Sequence, residues 1–305
     1  MNLSEWLSKV QRRALRIKNR VTSAPPKMKL VFASWVDGDV HPKHPDFAFI
    51  SYPKCGRTWV RFMLARAIQQ EHGYRLNQHY LLTSRLYHHL TGKQVLIAHY
   101  ITRDRPEVKR VDRSDKAVFT GIPVVLLIRD IRDTLVSFYY HNTQLKNFPE
   151  MTLSEFIRYP KLGIDGLLKY YQGWYRYRDV PSSLTLVRYE DVRHNTFETM
   201  RFMADSLGMA KVSDESLRLG IEDGRFEKMR VLEETGQIKH LNTKWTSSSK
   251  SLNTRRIRQG KVAGYRAELT ADDLAYIEER VTASGLPHDW LYYPLSDTPA
   301  AEQKA

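Results

Sequence analysis

The most constraining feature of this chain is the transition at residues 47–70, where the apolar run "FAFIS" gives way to "YPKCGR" and then to "TWVRFMLARAIQQ". A short apolar run closed by a Pro-Lys-Cys-Gly cluster reads as a buried strand followed by a turn. Val60, Met63, Leu64 and Ala67 then recur at helical spacing, the mark of an amphipathic helix. Near-continuous apolar strands that feed straight into helices belong to sheets covered on both faces, and those are mainly parallel.

The unit recurs along the chain. "VLIAHY" (95–100) reads as a strand, and "IPVVLLI" (122–128) runs into "RDIRD" and a helix through "TLVSFYYHN". "LTLVRY" (184–189) precedes a helix whose apolar face holds Phe197, Met200, Met203 and Leu207. The expected fold class is α/β, a central, mainly parallel sheet flanked by helices. Ligands of such sheets bind beyond the carboxyl ends of the strands, where the polar loops of this sequence fall.

The expected organisation is a basic amphipathic extension (1–25), one domain (26–297) and a flexible tail (298–305). In the extension, Leu3, Leu7, Val10, Ala14, Ile17 and Val21 share one helical stripe while Arg12, Arg13, Arg16, Lys18 and Arg20 lie off it. Such a helix either packs on its own domain or attaches to an anionic membrane surface. Lys and Arg number 48 against 34 acidic residues, a formal charge of +14, which favours an anionic partner: nucleic acid, membrane surface or phosphorylated small molecule. Cys55 is the one cysteine, so nothing asks for an oxidising compartment. No apolar run reaches the roughly 18 residues of a membrane span, and charges interrupt the N-terminal apolar residues, unlike a cleaved secretory signal. The reading is a cytoplasmic chain, with membrane-peripheral attachment through the extension as its alternative.

A strand-to-helix turn offers unpaired backbone N–H groups and the positive end of a helix dipole, which suit phosphate or sulfate. "YPKCGRTW" is not the G-x-x-x-x-G-K-[ST] pattern of nucleotide triphosphatases, and a tight turn with a solvated Lys is its plain structural alternative. The segment resembles the 5′-phosphosulfate loop of the cytosolic-type sulfotransferases, usually Y-P-K-[ST]-G-T-T-W. The resemblance implies a P-loop-like sulfotransferase fold that uses 3′-phosphoadenosine 5′-phosphosulfate (PAPS) as cosubstrate and needs no metal. It puts Lys54, Cys55, Gly56, Arg57, Thr58 and Trp59 at the cofactor, with Cys55 in place of a hydroxyl residue and Arg57 in place of the first Thr.

Four further segments resemble the same family. "LLIRDIRDTLVSFYYH" is similar to its 3′-phosphate motif, R-[ND]-x-[KR]-D-x-x-V-S-x-[YF]-[YF], which assigns that group to Arg129 and Ser137. "VRYEDV" and "RFEKMR" resemble adenine-contacting segments and put Tyr189 and Phe226 at the base. "RIRQGKVAGYRAELT" resembles the closing loop R-K-G-x-x-G-[DG]-W, which gives Arg258, Gln259 and Gly260 to the 3′-phosphate. Here Gln259 replaces a Lys, Ala263 a Gly and Tyr265 a Trp. His99 resembles the catalytic His of a K-[TS]-H motif, with Ile97 where many members carry Lys.

The chemistry implied is in-line transfer of a sulfuryl group from PAPS to an acceptor hydroxyl or amine. His99 would remove the acceptor proton, Lys54 would neutralise the leaving phosphate, and the loop N–H groups with Thr58 would hold the sulfuryl oxygens. Segments 81–92, 170–179 and 239–256 correspond to acceptor-pocket borders in the family; their aromatics and Arg suit a phenol, a sugar or an acidic lipid, so the expected partner is a small molecule, lipid or glycan. A P-loop-like kinase should show G-K-[ST] and Mg-binding carboxylates, and neither is present. A nucleic-acid binder would account for the charge but not for motifs gathered around one nucleotide, so no nucleic-acid partner is expected. A non-catalytic PAPS-binding module would bind the nucleotide and transfer nothing.

Overall fold

Four short strands lie side by side in the computed structural model, which describes residues 44–73, 81–98, 116–143, 148–160, 162–235, 237 and 260–294. They are β1 (Phe47–Ser51), β2 (Val95–Ala98), β3 (Pro123–Ile128) and β4 (Ser183–Arg188), in the order β2-β1-β3-β4. Every pair is parallel; Phe49 lies opposite Ile97 on one side and Val125 on the other. The central strands are apolar almost throughout because both of their faces are covered. β4 carries Ser183 and Thr185 and is partly exposed, as befits an edge.

Helices make the crossovers from β1 to β2 and from β3 to β4. α1 (Arg57–Glu71) leaves β1, α2 (Ser84–Thr91) precedes β2, and α3 (Ile131–Asn142) leaves β3. α4 (Leu153–Ile157) and α5 (Ile164–Arg176) lead to β4, which is followed by α6 (Tyr189–His194), α7 (Thr196–Ser206), α8 (Asp214–Asp223) and α9 (Phe226–Glu234). α10 (Ala271–Ser284) and α11 (His288–Leu291) complete the described chain. Phe49, Ile50, Leu64, Leu126, Leu127, Tyr171 and Trp174 are fully buried in one continuous core, each large apolar side chain contributing about 1.5–3 kcal/mol.

One packing contact bears directly on the site. α8 lies against α1 so closely that a Cβ on Gly220 would fall 2.6 Å from the Met63 carbonyl oxygen and the Ala67 nitrogen. The approach lets Arg66 Nε donate to Asp223 at 2.7 Å and Trp59 Nε1 donate to the Gly224 carbonyl at 2.6 Å. The indole of Trp59 is thereby fixed from below.

The elements follow the apolar pattern, with small shifts at their ends. Tyr189 is the first residue of α6, not the last of β4: Arg188 is the final extended residue, and Glu190 and Asp191 occupy a first helical turn, where the dipole favours acids. β3 begins at Pro123, one residue after the expected Ile122. Residues 1–43, with the basic extension, and 295–305 lie outside the described residues, as do His99, Arg258 and Gln259.

Candidate active site

The turn after β1 is held by two left-handed residues, Lys54 at φ 73° and Gly56 at φ 89°. Gly56 is obligatory for a second reason, because a Cβ there would run into the Tyr189 ring. Its carbonyl accepts from the Trp59 and Val60 N–H groups and closes the first turn of α1. That turn contains no acidic residue, so the positive end of the helix is left to whatever enters the cavity above it.

The cavity measures about 220 Å³. Pro53, Lys54, Gly56, Arg57, Thr58 and Trp59 form one side. α3 supplies another through Arg129, which immediately precedes its cap, and Asp133, Ser137 and His141, four residues spaced by one helical turn on a single stripe. Arg129 is fully engaged at its fork: Nη1 donates to the Lys54 carbonyl at 3.1 Å and Nη2 to the Lys261 carbonyl at 3.2 Å. Its Nε is buried and has no acceptor among the described residues, an arrangement that costs free energy until an anion supplies one.

The third side is aromatic. Tyr189 meets Trp59 edge to face at 5.9 Å between centroids, and the Arg129 guanidinium lies 4.4 Å over the Tyr189 ring. Arg193, one turn beyond Tyr189 on α6, stands 5.4 Å from the Trp59 ring. Phe226 and Met229 enter from α9, and Gly260 sits against Phe226 where a Cβ would fall 2.6 Å from the ring. Among the described lining residues, Lys54, Arg57, Arg129, Arg193 and Lys261 face a single carboxylate, Asp133. A cation-rich pocket lined by a strand-to-helix turn, by a guanidinium braced against that turn and by flat rings fits a nucleotide carrying more than one anionic group.

A model of the sulfotransferase domain matches residues 44–284. The chain belongs to the sulfotransferase family. It is 23% identical to cytosolic sulfotransferase 5 of Arabidopsis thaliana over 283 residues, covering 80% of this chain and 82% of that protein. With the flavonol 4′-sulfotransferase of Flaveria chlorifolia the identity is 24% over 282 residues, 79% and 81% of the two chains. A mouse sulfotransferase solved with PAP superposes with a TM-score of 0.54 at 18% identity, over 82% of this chain and 86% of that one. Retinol dehydratase solved with androsterone and PAP gives 0.54 at 18%, over 83% and 84%. These likenesses show a shared fold.

In this sulfotransferase the expected residues Lys54, Gly56, Arg57, Thr58, Trp59, Arg129, Ser137, Tyr189, Phe226 and Gly260 all line one cavity. Cys55 does not: its side chain is fully buried in the core with Sγ 3.9 Å from the Tyr171 hydroxyl, and burial pushes its thiol up to about 12. What Cys55 offers to a ligand is its backbone. Ile97 is buried in β2 opposite Phe49, so an apolar residue there serves the sheet. Leu81, at the start of the segment assigned to the acceptor, packs with Phe62 and Met229, the latter also a cavity residue.

Asp133, His141, Arg193, Met229 and Lys261 line the cavity without having been singled out. The available signal was helical spacing: Asp133 and His141 continue the Arg129–Ser137 stripe, Arg193 follows Tyr189 by one turn, and Met229 follows Phe226. Burial beneath Arg129 governs the acids. Asp133 is raised above the usual carboxylate range by desolvation, against the pull of Arg129. Glu190, fully buried with Oε1 accepting from the Asp130 N–H at 3.0 Å, is raised to about 7 because desolvation outweighs Arg129. Among the described residues no three His, Cys, Asp or Glu side chains converge as metal ligands.

Proposed function

We propose that this sulfotransferase takes the sulfuryl group from PAPS and passes it to a hydroxyl or amine of a small molecule, glycan or lipid. The observation that carries the reading is the convergence of two groups of anion-binding residues, Lys54, Gly56, Arg57 and Thr58 of the turn and Arg129 with Ser137, on one cavity that Trp59, Tyr189 and Phe226 also line. PAPS, when bound, supplies the transferable sulfuryl group and a phosphate leaving group. Lys54 and the N–H groups of the turn neutralise charge on the transferred and departing oxygens, and Thr58 offers a hydroxyl beside them. Arg129 and Ser137 take the 3′-phosphate, with Arg258, Gln259 and Gly260 closing over it. Trp59, Tyr189 and Phe226 flank the base. The PAP named in the two solved relatives supports this nucleotide choice.

The general base in this reading is His99, which directly follows Ala98, the last residue of the strand paired with β1. It takes the acceptor proton as the oxygen or nitrogen attacks. The catalytic domain is residues 26–297, with the basic extension (1–25) and the tail (298–305) outside it. A flavonol and androsterone appear in the names of relatives, which supports including phenols and sterols among the acceptors tried.

The test is transfer from labelled PAPS to an acceptor panel in excess chelator. Sulfated product is expected, undiminished by the chelator. His99→Ala should lower turnover by about 10²–10⁴-fold while leaving nucleotide affinity near wild type. Loss of activity in chelator, restored by Mg, would instead favour a kinase-like reading.

A further inference from the structure

The N-terminal turn of α3 does more than face the cavity. Arg132 points the other way, its guanidinium lying 4.2 Å from the Tyr265 ring centroid on one side and 4.5 Å from that of Tyr292 on the other. Its edge forks onto Asp130, Nε to Oδ1 at 2.9 Å and Nη2 to Oδ2 at 2.5 Å. Asp130, almost wholly buried, also accepts from the Arg132 and Tyr293 N–H groups. The next two ties come from neighbours of Arg132. Asp133 Oδ1 accepts from the Tyr265 N–H at 2.9 Å, and Arg129 Nη2 holds the Lys261 carbonyl.

Arg129, which precedes the helix cap, and Arg132 and Asp133 of its first turn therefore hold the segment 260–265 at one carbonyl, at a ring and at an amide. That segment brings Gly260 against Phe226, and in sequence it follows directly on Arg258 and Gln259. We infer that Arg132 is a positioning residue for the nucleotide: stacked between Tyr265 and Tyr292, it clamps the closing segment over the cavity without touching the ligand. The inference rests on the reading of the cavity as a PAPS site, and it extends that reading to a residue on the far face of the helix. In this chain a planar guanidinium serves the ring and carboxylate contacts together, whereas a lysine, which the family motif also admits at this position, can neither present two flat faces to two rings nor fork onto a carboxylate.

The experiment compares wild type with Arg132→Met and Arg132→Lys in the full chain. Two readouts are taken: the affinity for PAP by calorimetry, and amide hydrogen exchange of residues 260–267 without ligand. Loss of both ring contacts should weaken PAP binding about ten- to thirtyfold, with faster exchange in 260–267 and little change in turnover once PAPS is saturating. Arg132→Lys should fall between the other two, and it guards against a folding failure in Arg132→Met, which strands the Asp130 carboxylate. Tyr265→Phe, which keeps the ring, should behave as wild type, and Tyr265→Leu as Arg132→Met. Folded variants with wild-type exchange in 260–267 overturn the clamp whether or not PAP binds. Faster exchange in a chain that never binds PAP would uphold the clamp and count against the nucleotide reading alone.

Discussion

Gly56 and Tyr189 touch across the cavity floor, the glycine α-carbon facing the tyrosine ring with no room for a Cβ between them. The contact joins the turn after β1 to the aromatic wall. Gly56→Ala must therefore pay twice, for an L side chain at φ 89° and for displacing a buried ring, together about 2–4 kcal/mol. Gly92→Ala is the control: its φ is 72° but nothing lies within 4 Å of the added methyl, so only the backbone cost of about 1 kcal/mol applies. Urea denaturation of both variants measures the difference; equal losses would show that the Tyr189 contact has no energetic weight.

Arg129 is held by two carbonyls and stacked on Tyr189. Arg129→Lys retains the charge but loses the fork and the flat face. PAP affinity should fall by about one to two orders of magnitude, measured by calorimetry. A lysine variant that binds as wild type would mean that net charge alone recruits the ligand.

Glu190 links stability to pH. Its folded form keeps a proton up to about pH 7, whereas the unfolded carboxyl loses it near the ordinary value of 4.5. The folded state thus binds more protons across that window, so stability falls as pH rises through it, and the loss is complete above about pH 7. Glu190→Gln cannot ionise. Its stability relative to wild type should rise by up to about 3 kcal/mol between about pH 5 and about pH 8, read from denaturation curves at both; parallel pH profiles for the two proteins would contradict this.

Cys55 should be inert while the chain is folded. Its thiol is fully buried and pushed up to about 12, so neither access nor thiolate is available. A chromogenic disulfide reagent at mildly alkaline pH should release no signal from native protein and one equivalent after unfolding. Rapid native labelling would place the side chain at the cavity instead of in the core.

Much of this was legible in the sequence, for physical reasons that differ by residue. Phe49 and Val125 announce a doubly covered sheet because both faces of a central strand must be apolar. Lys54, Gly56, Arg129 and Ser137 stand out because anion recognition demands particular groups at strand ends. The order β2-β1-β3-β4 was not legible, since parallel pairing leaves no local mark on the strands. Cys55 turns its side chain to the core although its neighbours Lys54 and Gly56 line the cavity, an alternation that a loop sequence does not announce. Arg132 escaped notice because its partners Tyr265 and Tyr292 lie more than a hundred residues away, and only the fold brings them together.

The central claim is that one cavity recognises both ends of PAPS. Calorimetric titration of the full chain with PAPS and with adenosine 5′-phosphosulfate, which lacks only the 3′-phosphate, tests it most directly. Arg129 and Ser137, with Gly260 and the residues before it, should make PAPS bind at least about a hundredfold more tightly, the worth of two or more hydrogen bonds to a charged group. Equal affinities, or no binding of PAPS by the folded chain, would contradict the account.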